Sequence, residues 1–222
     1  LDELMASDDP LKGVILDLRN NPGGVLRSSV DVAGLFMDGG NVVYTEGRLP
    51  NSDMNFDAQP TDATAGTPIV VLINSGSASA SEIVAGALQD HGRAVIMGTR
   101  SFGKGSVQTI LPISDSRAVK LTTALYFTPN GRSIQAEGIE PDIEVERARV
   151  TAYDNSRRVT EADLSGHLNN VNGGNGDNAR KPASTLLGSD NQLYEALTLL
   201  KGINILGMRD KKAPTGDTLV GS

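Results

Sequence analysis

The residues that could do chemistry lie in two stretches. Residues 68–83 read P-I-V-V-L-I-N-S-G-S-A-S-A-S-E-I, and residues 98–108 read G-T-R-S-F-G-K-G-S-V-Q. The first sets a serine cluster between an apolar run and a helical pattern. The second sets Lys104 between two glycines, just after another apolar run. A serine becomes a nucleophile only when a neighbouring base takes its proton. The histidines are poor candidates for that base. His91 lies twelve residues after Ser79 on the same expected helix, roughly 18 Å away at helical rise, and reads as a helix C-terminal residue. His167 sits in a polar stretch. Lys104 is the better base, because close-packed backbone and an apolar wall favour the neutral amine that general-base catalysis needs. Gln108, four residues on, could orient that amine. Ser77, Ser79 and Ser81 are all candidates for the nucleophile, and at least one is expected to serve as a turn or cap. At a helix N-terminus the next backbone N–H can hold an oxyanion, and Gly23 or Gly24 could give a second donor.

The elements that must position these groups alternate strand and helix. Strands are expected over 13–18, 41–46, 68–74 and 94–97, with helices over 27–37 and 79–91. Residues 106–111, 117–128 and 132–135 read as further strands and turns, and 48–67 as loop. The alternation favours an α/β fold with a mostly parallel sheet and right-handed crossovers. Three glycine-rich segments, Asn20–Gly24, Ser75–Ser81 and Thr99–Gly105, then follow three strands and meet at the edge where such sheets collect ligands.

Composition narrows the function classes. The chain has 222 residues, a net charge of −7, 38% hydrophobic residues and no cysteine. The negative charge argues against a nucleic-acid partner, the missing cysteine excludes thiol chemistry and disulfides, and no apolar run is long enough to span a membrane. The chain divides into a core over 1–148, a polar, low-complexity linker over 149–189 and a C-terminal helix and tail over 190–222. In that last segment Leu193, Ala196, Leu197 and Leu200 form an apolar stripe on a helix expected over 190–201, capped by Asp190.

Three ordered motifs, L-D-L-R-N-N-P-G-G (16–24), S-G-S-A-S-A-S-E-I (75–83) and G-T-R-S-F-G-K-G-S-V-Q (98–108), closely resemble the carboxyl-terminal processing peptidases, or tail-specific proteases. The segment G-I-E-P-D-I-E-V (138–145) resembles the end of their protease core. The resemblance implies a serine endopeptidase on a crotonase-like α/β core, working near protein C-termini without cofactor or metal. It implies Ser79 as nucleophile, Lys104 as general base and Gln108 as support for the lysine. The oxyanion hole would come from the Ala80 N–H and Gly23 or Gly24. It further implies substrates held as extended chains, a homo-oligomer assisted by the C-terminal segment, an adaptor protein, and the periplasm of a Gram-negative bacterium, with possible membrane association. The family's PDZ domain is absent from this sequence, so the chain is expected to be a protease core. Two rival readings are a non-catalytic ligand- or peptide-binding protein on the same fold and, reasoned from fold alone, a crotonase-type acyl-CoA enzyme, which would not need the serine–lysine pair.

Overall fold

The computed structural model describes residues 1–6, 11–47, 53–151, 164–168 and 185–210. In chain order the elements are α1 (Asp2–Met5), β1 (Val14–Asp17), α2 (Leu26–Gly34), β2 (Asp38–Gly47), β3 (Met54–Pro60), β4 (Ile69–Ile73), α3 (Ala80–Asp90) and β5 (Ala94–Gly98). They continue with β6 (Ser106–Ser114), β7 (Arg117–Phe127), β8 (Ile143–Glu144), α4 (Thr185–Ser189) and α5 (Asn191–Asp210).

Two sheets result. One is parallel, in the order β1-β4-β5-β8, and the other antiparallel, in the order β3-β2-β7-β6. A mostly parallel sheet is therefore only half of the architecture. The reason is in the connections: too few residues separate β6 from β7, and β2 from β3, for a parallel crossover, so each pair closes as a hairpin. The expected loop over 48–67 contains β3, whose sequence M-N-F-D-A-Q-P is half polar because only Phe56 and Ala58 turn toward the core.

The parallel sheet is covered on both faces, which is why its strands read as unbroken apolar runs. Every residue of β4 is buried. Ile69, Val71 and Ile73 face a core built with Val30 and Ala33 of α2 and Ile83, Val84, Ala87 and Leu88 of α3. Val70 and Leu72 face the other way, onto Met97, Ala196 and Leu200. Helices α2 and α3 lie between the sheets, where Val42, Val43 and Tyr126 close the core from the antiparallel side. Sandwiching explains α3, whose residues Ala80 to Leu88 are all buried.

Helix α5 is longer than its stripe suggests, at 20 residues. The stripe is used within the chain, since Ala196 and Leu200 are buried against β4 and β5 with Leu193 packed beside them. Leu193 and Leu200 are thus covered within the chain, whereas Leu197 is not part of this cluster. Of the expected linker, 152–163 and 169–184 lie outside the described residues, as does the tail from 211, while Thr185–Ser189 is helical.

Candidate active site

Because β1, β4 and β5 are adjacent and parallel, the segments that follow them emerge side by side. The serine turn leaves β4. Ser77 is fully buried; its hydroxyl donates to the Leu18 carbonyl at 2.7 Å and accepts the Asn74 N–H at 3.0 Å. The Ser81 hydroxyl donates to the Asn21 carbonyl at 3.1 Å. Both serines hold the turn together. Ser79 differs: it is the N-cap of α3, with φ 57° and ψ −116°. A residue with a Cβ rarely adopts this conformation, which costs about 1–3 kcal/mol and persists only when its surroundings enforce it.

The turn after β1 packs directly on Ser79. A Cβ at Gly23, where φ is +87°, would sit 2.4 Å from the Ala78 carbonyl oxygen and 2.6 Å from the Ala80 nitrogen. Only glycine fits there. Asn21 and Asn74 tie the two turns together. The Asn21 carbonyl accepts the Ala78 N–H at 3.0 Å, and the Asn74 side chain accepts the N–H groups of Asn20 and Gly76, each at 2.9 Å. The Gly23 N–H donates to its own neighbour, Asn21 Oδ1, at 3.0 Å. Among the described residues the N–H groups of Ala80 and Gly24 have no partner, so these two are available to an incoming oxygen. Beside them lies a cavity of about 220 Å³ lined by Leu18, Val25, Val32, Ala80 and Val84, with Ser28 at its polar side.

The lysine loop leaves β5, and its anchor is Glu82. This carboxylate is fully buried. Oε1 accepts the Ser101 hydroxyl at 2.6 Å and the Gly103 N–H at 2.7 Å. Oε2 accepts the N–H of Ser79 at 2.7 Å and that of Lys104 at 2.9 Å. One oxygen thus bonds the backbones of both Ser79 and Lys104. Four donors satisfy the carboxylate, which is what a buried charge requires. A Cβ at Gly105 would come within 2.5 Å of the Gln135 nitrogen, so the loop also needs its glycine.

Tyr126 closes the loop from the antiparallel sheet. Its N–H donates to the Gly105 carbonyl at 2.9 Å and its hydroxyl to the Lys104 carbonyl. Burial raises the Tyr126 pKa well above its ordinary value, against a smaller lowering by the nearby Ser79 hydroxyl. The site therefore keeps a neutral phenol beside Ser79.

The structure joins the backbones of Ser79 and Lys104 but not their side chains: the Lys104 amine makes no hydrogen bond among the described residues. Phe102 is 66% exposed and does not wall the lysine. Gln108 is exposed on β6, and its side chain makes no hydrogen bond there. His91 sits at the far end of α3 with Nε2 on the Asn41 carbonyl at 2.7 Å. His167 is exposed, against Leu164. Glu82 and Tyr126 are the groups that sequence reasoning missed. The Ser79–Glu82 spacing of a capping box was a legible signal for the first; nothing local marks the second.

Peptidase family S41 matches residues 1–145. The carboxy-terminal-processing protease of Bartonella bacilliformis is 52% identical over 200 residues, covering 87% of this chain and 45% of that protein. The chloroplastic carboxyl-terminal-processing peptidase 3 of Arabidopsis thaliana is 47% identical over 139 residues, covering 60% and 26%. The chain thus spans less than half the length of these relatives. Among solved structures, the photosystem II D1 C-terminal processing protease superposes with a TM-score of 0.57 at 40% identity, covering 61% of this chain and 35% of that one. On the family match, which spans well over half its length, the chain belongs to peptidase family S41.

Proposed function

We propose that this chain is the core of a serine endopeptidase that cuts proteins near their C-termini on a crotonase-like fold, with Ser79 as nucleophile and Lys104 as general base. The observation that carries the reading is the shared oxygen of Glu82, which bonds the N–H groups of both residues. In this reading Ser79 Oγ attacks the scissile carbonyl while the neutral Lys104 amine takes its proton. The N–H groups of Ala80 and Gly24 hold the oxyanion; Gly23 shapes that hole by its lack of a side chain. The lysine ammonium returns the proton to the leaving amine, and water, deprotonated by the same lysine, releases the acyl group. Gln108 orients the amine once Lys104 turns toward Ser79. The apolar cavity beside Ala80 takes an aliphatic side chain of a substrate bound as an extended chain.

Labelling with a fluorophosphonate, located by mass spectrometry, tests the assignment. Ser79 of the unaltered chain should label, and both Ser79→Ala and Lys104→Ala should abolish labelling while the circular dichroism spectrum stays unchanged. Labelling that survives Ser79→Ala would refute the nucleophile, and no labelling of any serine would favour the binding-protein reading.

The names of the relatives support a role in C-terminal processing. A homo-oligomer, an adaptor protein and a place in the periplasm of a Gram-negative cell are proposed on the resemblance alone. No helix among the described residues is long and apolar enough to cross a membrane. Fractionation of the full-length protein tests the location, and light scattering the assembly.

A further inference from the structure

The last helix reaches the turn that carries the Gly24 oxyanion donor, through a single arginine. Arg19 stands between the end of β1 and Asn20–Gly24, and its side chain is only 13% exposed. On one edge, Nε and Nη2 hold Asp17 at 2.9 and 2.6 Å. On the other, Nη1 and Nη2 fork onto Asp190 at 2.9 and 2.7 Å, and Nη1 also donates to Gln192 Oε1 at 2.9 Å. All five guanidinium N–H groups are engaged, so the group has one orientation. The far side of the network is equally fixed. Asp190 Oδ1 caps α5 by accepting the Leu193 N–H at 3.0 Å, and Gln192 Nε2 donates to the Val145 carbonyl at 2.6 Å. The helix behind them is seated by Ala196 and Leu200 on the parallel sheet.

The Asn20–Gly24 turn is thus held from two sides. The serine turn grips it through Asn74, Ala78 and Ser81, and α5 grips it through Arg19. The family match ends at residue 145, so Asp190 and Gln192 lie outside the matched core. We infer that the start of α5 is a brace for the oxyanion turn: Asp190 and Gln192 are positioning residues that act through Arg19 on the place of the Gly24 N–H. The inference rests on the serine–lysine reading above. Oxyanion donors work only when held at the right distance before the reaction, and removing one costs about 10²–10³ in rate. A loosened donor loses part of that, so cutting the brace should lower the chemical step about tenfold. Ground-state binding, which the cavity near Val25 and Val32 provides, should change little.

The experiment measures fluorophosphonate inactivation of the whole chain, separating the limiting rate, kinact, from the binding constant, KI. Asp190→Asn and Gln192→Ala should each lower kinact, their combination by about tenfold, with KI within about twofold of the unaltered chain. Asp190→Glu, which keeps the carboxylate fork, should restore most of the rate. Leu200→Ala is the comparison: it loosens the packing of α5 and lowers Tm without touching Arg19, so kinact should hold at temperatures where the chain is folded. A normal kinact in Asp190→Asn would overturn the brace, as would losses that follow Tm equally in Leu200→Ala and the Asp190 variants. If Ser79 of the unaltered chain fails to label, the serine–lysine reading falls, and the brace with it; labelling that is normal in every variant overturns the brace alone.

Discussion

Replacing Glu82 by glutamine keeps its shape and removes one acceptor. The carboxylate is fully buried and takes four donors, two on each oxygen. If the new amide nitrogen takes the Oε2 position, it faces the N–H groups of Ser79 and Lys104, and both are orphaned. If it takes the Oε1 position, the Ser101 hydroxyl can turn and accept from it, although it already accepts the Ile139 N–H at 2.6 Å. The Gly103 N–H is then orphaned and the Ser101 hydroxyl proton must rotate to another acceptor, but the N–H groups of Ser79 and Lys104 keep theirs, so this arrangement is the cheaper one. One buried unsatisfied donor costs about 1–3 kcal/mol, and the bonds that remain on the other oxygen lose roughly 1 kcal/mol each with the charge. Removing a buried charge returns part of this through desolvation.

The net destabilisation should be about 2–3 kcal/mol, a large part of a total that is about 5–15 kcal/mol for most domains. In a chain of this size that corresponds to a fall in Tm of about 4–12 °C. Circular dichroism melts give the Tm, and fluorophosphonate labelling at 20 °C gives the effect on Ser79. Labelling should slow even where the protein is folded, because the loop that carries Lys104 has lost its tie to the serine turn. A Glu82→Gln variant with unchanged Tm and normal labelling would refute the clamp.

The other predictions address the turns around the same group. Ser77→Ala should lower Tm by several degrees, since a fully buried hydroxyl with two partners is lost, yet Ser79 should still label; loss of labelling in a folded Ser77→Ala protein would move the nucleophile. Gly23→Ala should damage both fold and labelling, because its Cβ meets backbone at 2.4 Å, whereas Gly24→Ala, with nothing within 4 Å, should leave Tm unchanged; equal melts for the two would refute the close approach. Acid should weaken the chain through Asp17 and Asp190. Hydrogen bonds from Arg19 depress both carboxyls, that of Asp190 to about 2. A depressed folded-state pKa contributes stability that is full above the unfolded value near 4 and fades as pH falls toward 2. Urea midpoints should therefore be insensitive to this pair between pH 5 and 7 and fall below about pH 4, with a shallower fall in Asp190→Asn; identical acid slopes would show that the pair is not linked to folding.

How far the sequence exposes this fold depends on how locally each residue is constrained. Strands β4 and β5 are plain because both faces are buried and their apolar runs are unbroken. Their parallel adjacency to β1 follows from the crossovers, and with it the meeting of the three glycine-rich segments at one edge. Strand β3 is hidden because an edge strand with one wet face carries few apolar residues. The partner of α5 is hidden for another reason: a stripe of leucines says only that something covers it. That the cover is Val70, Leu72 and Met97 depends on which face of the sheet α2 and α3 leave open.

The candidate site divides the same way. Serine, lysine and glycine announce themselves by type and spacing, but the groups that fix their positions do not. Ser79 sits in a conformation that costs about 1–3 kcal/mol, and its backbone is held there by other residues. Its N–H is held by Glu82, its neighbour Ala78 by Asn21, and the packing of Gly23 leaves the turn no room to relax. The same Glu82 oxygen fixes Lys104, so strain in one loop and placement of the other depend on a single carboxylate. In the sequence Glu82 is a helix-capping residue three positions after a serine. Its second role appears only when β4 and β5 pair in register, which brings the loop after Gly98 over the start of α3. The chemistry is thus written in residue types, whereas its geometry is a property of strand order.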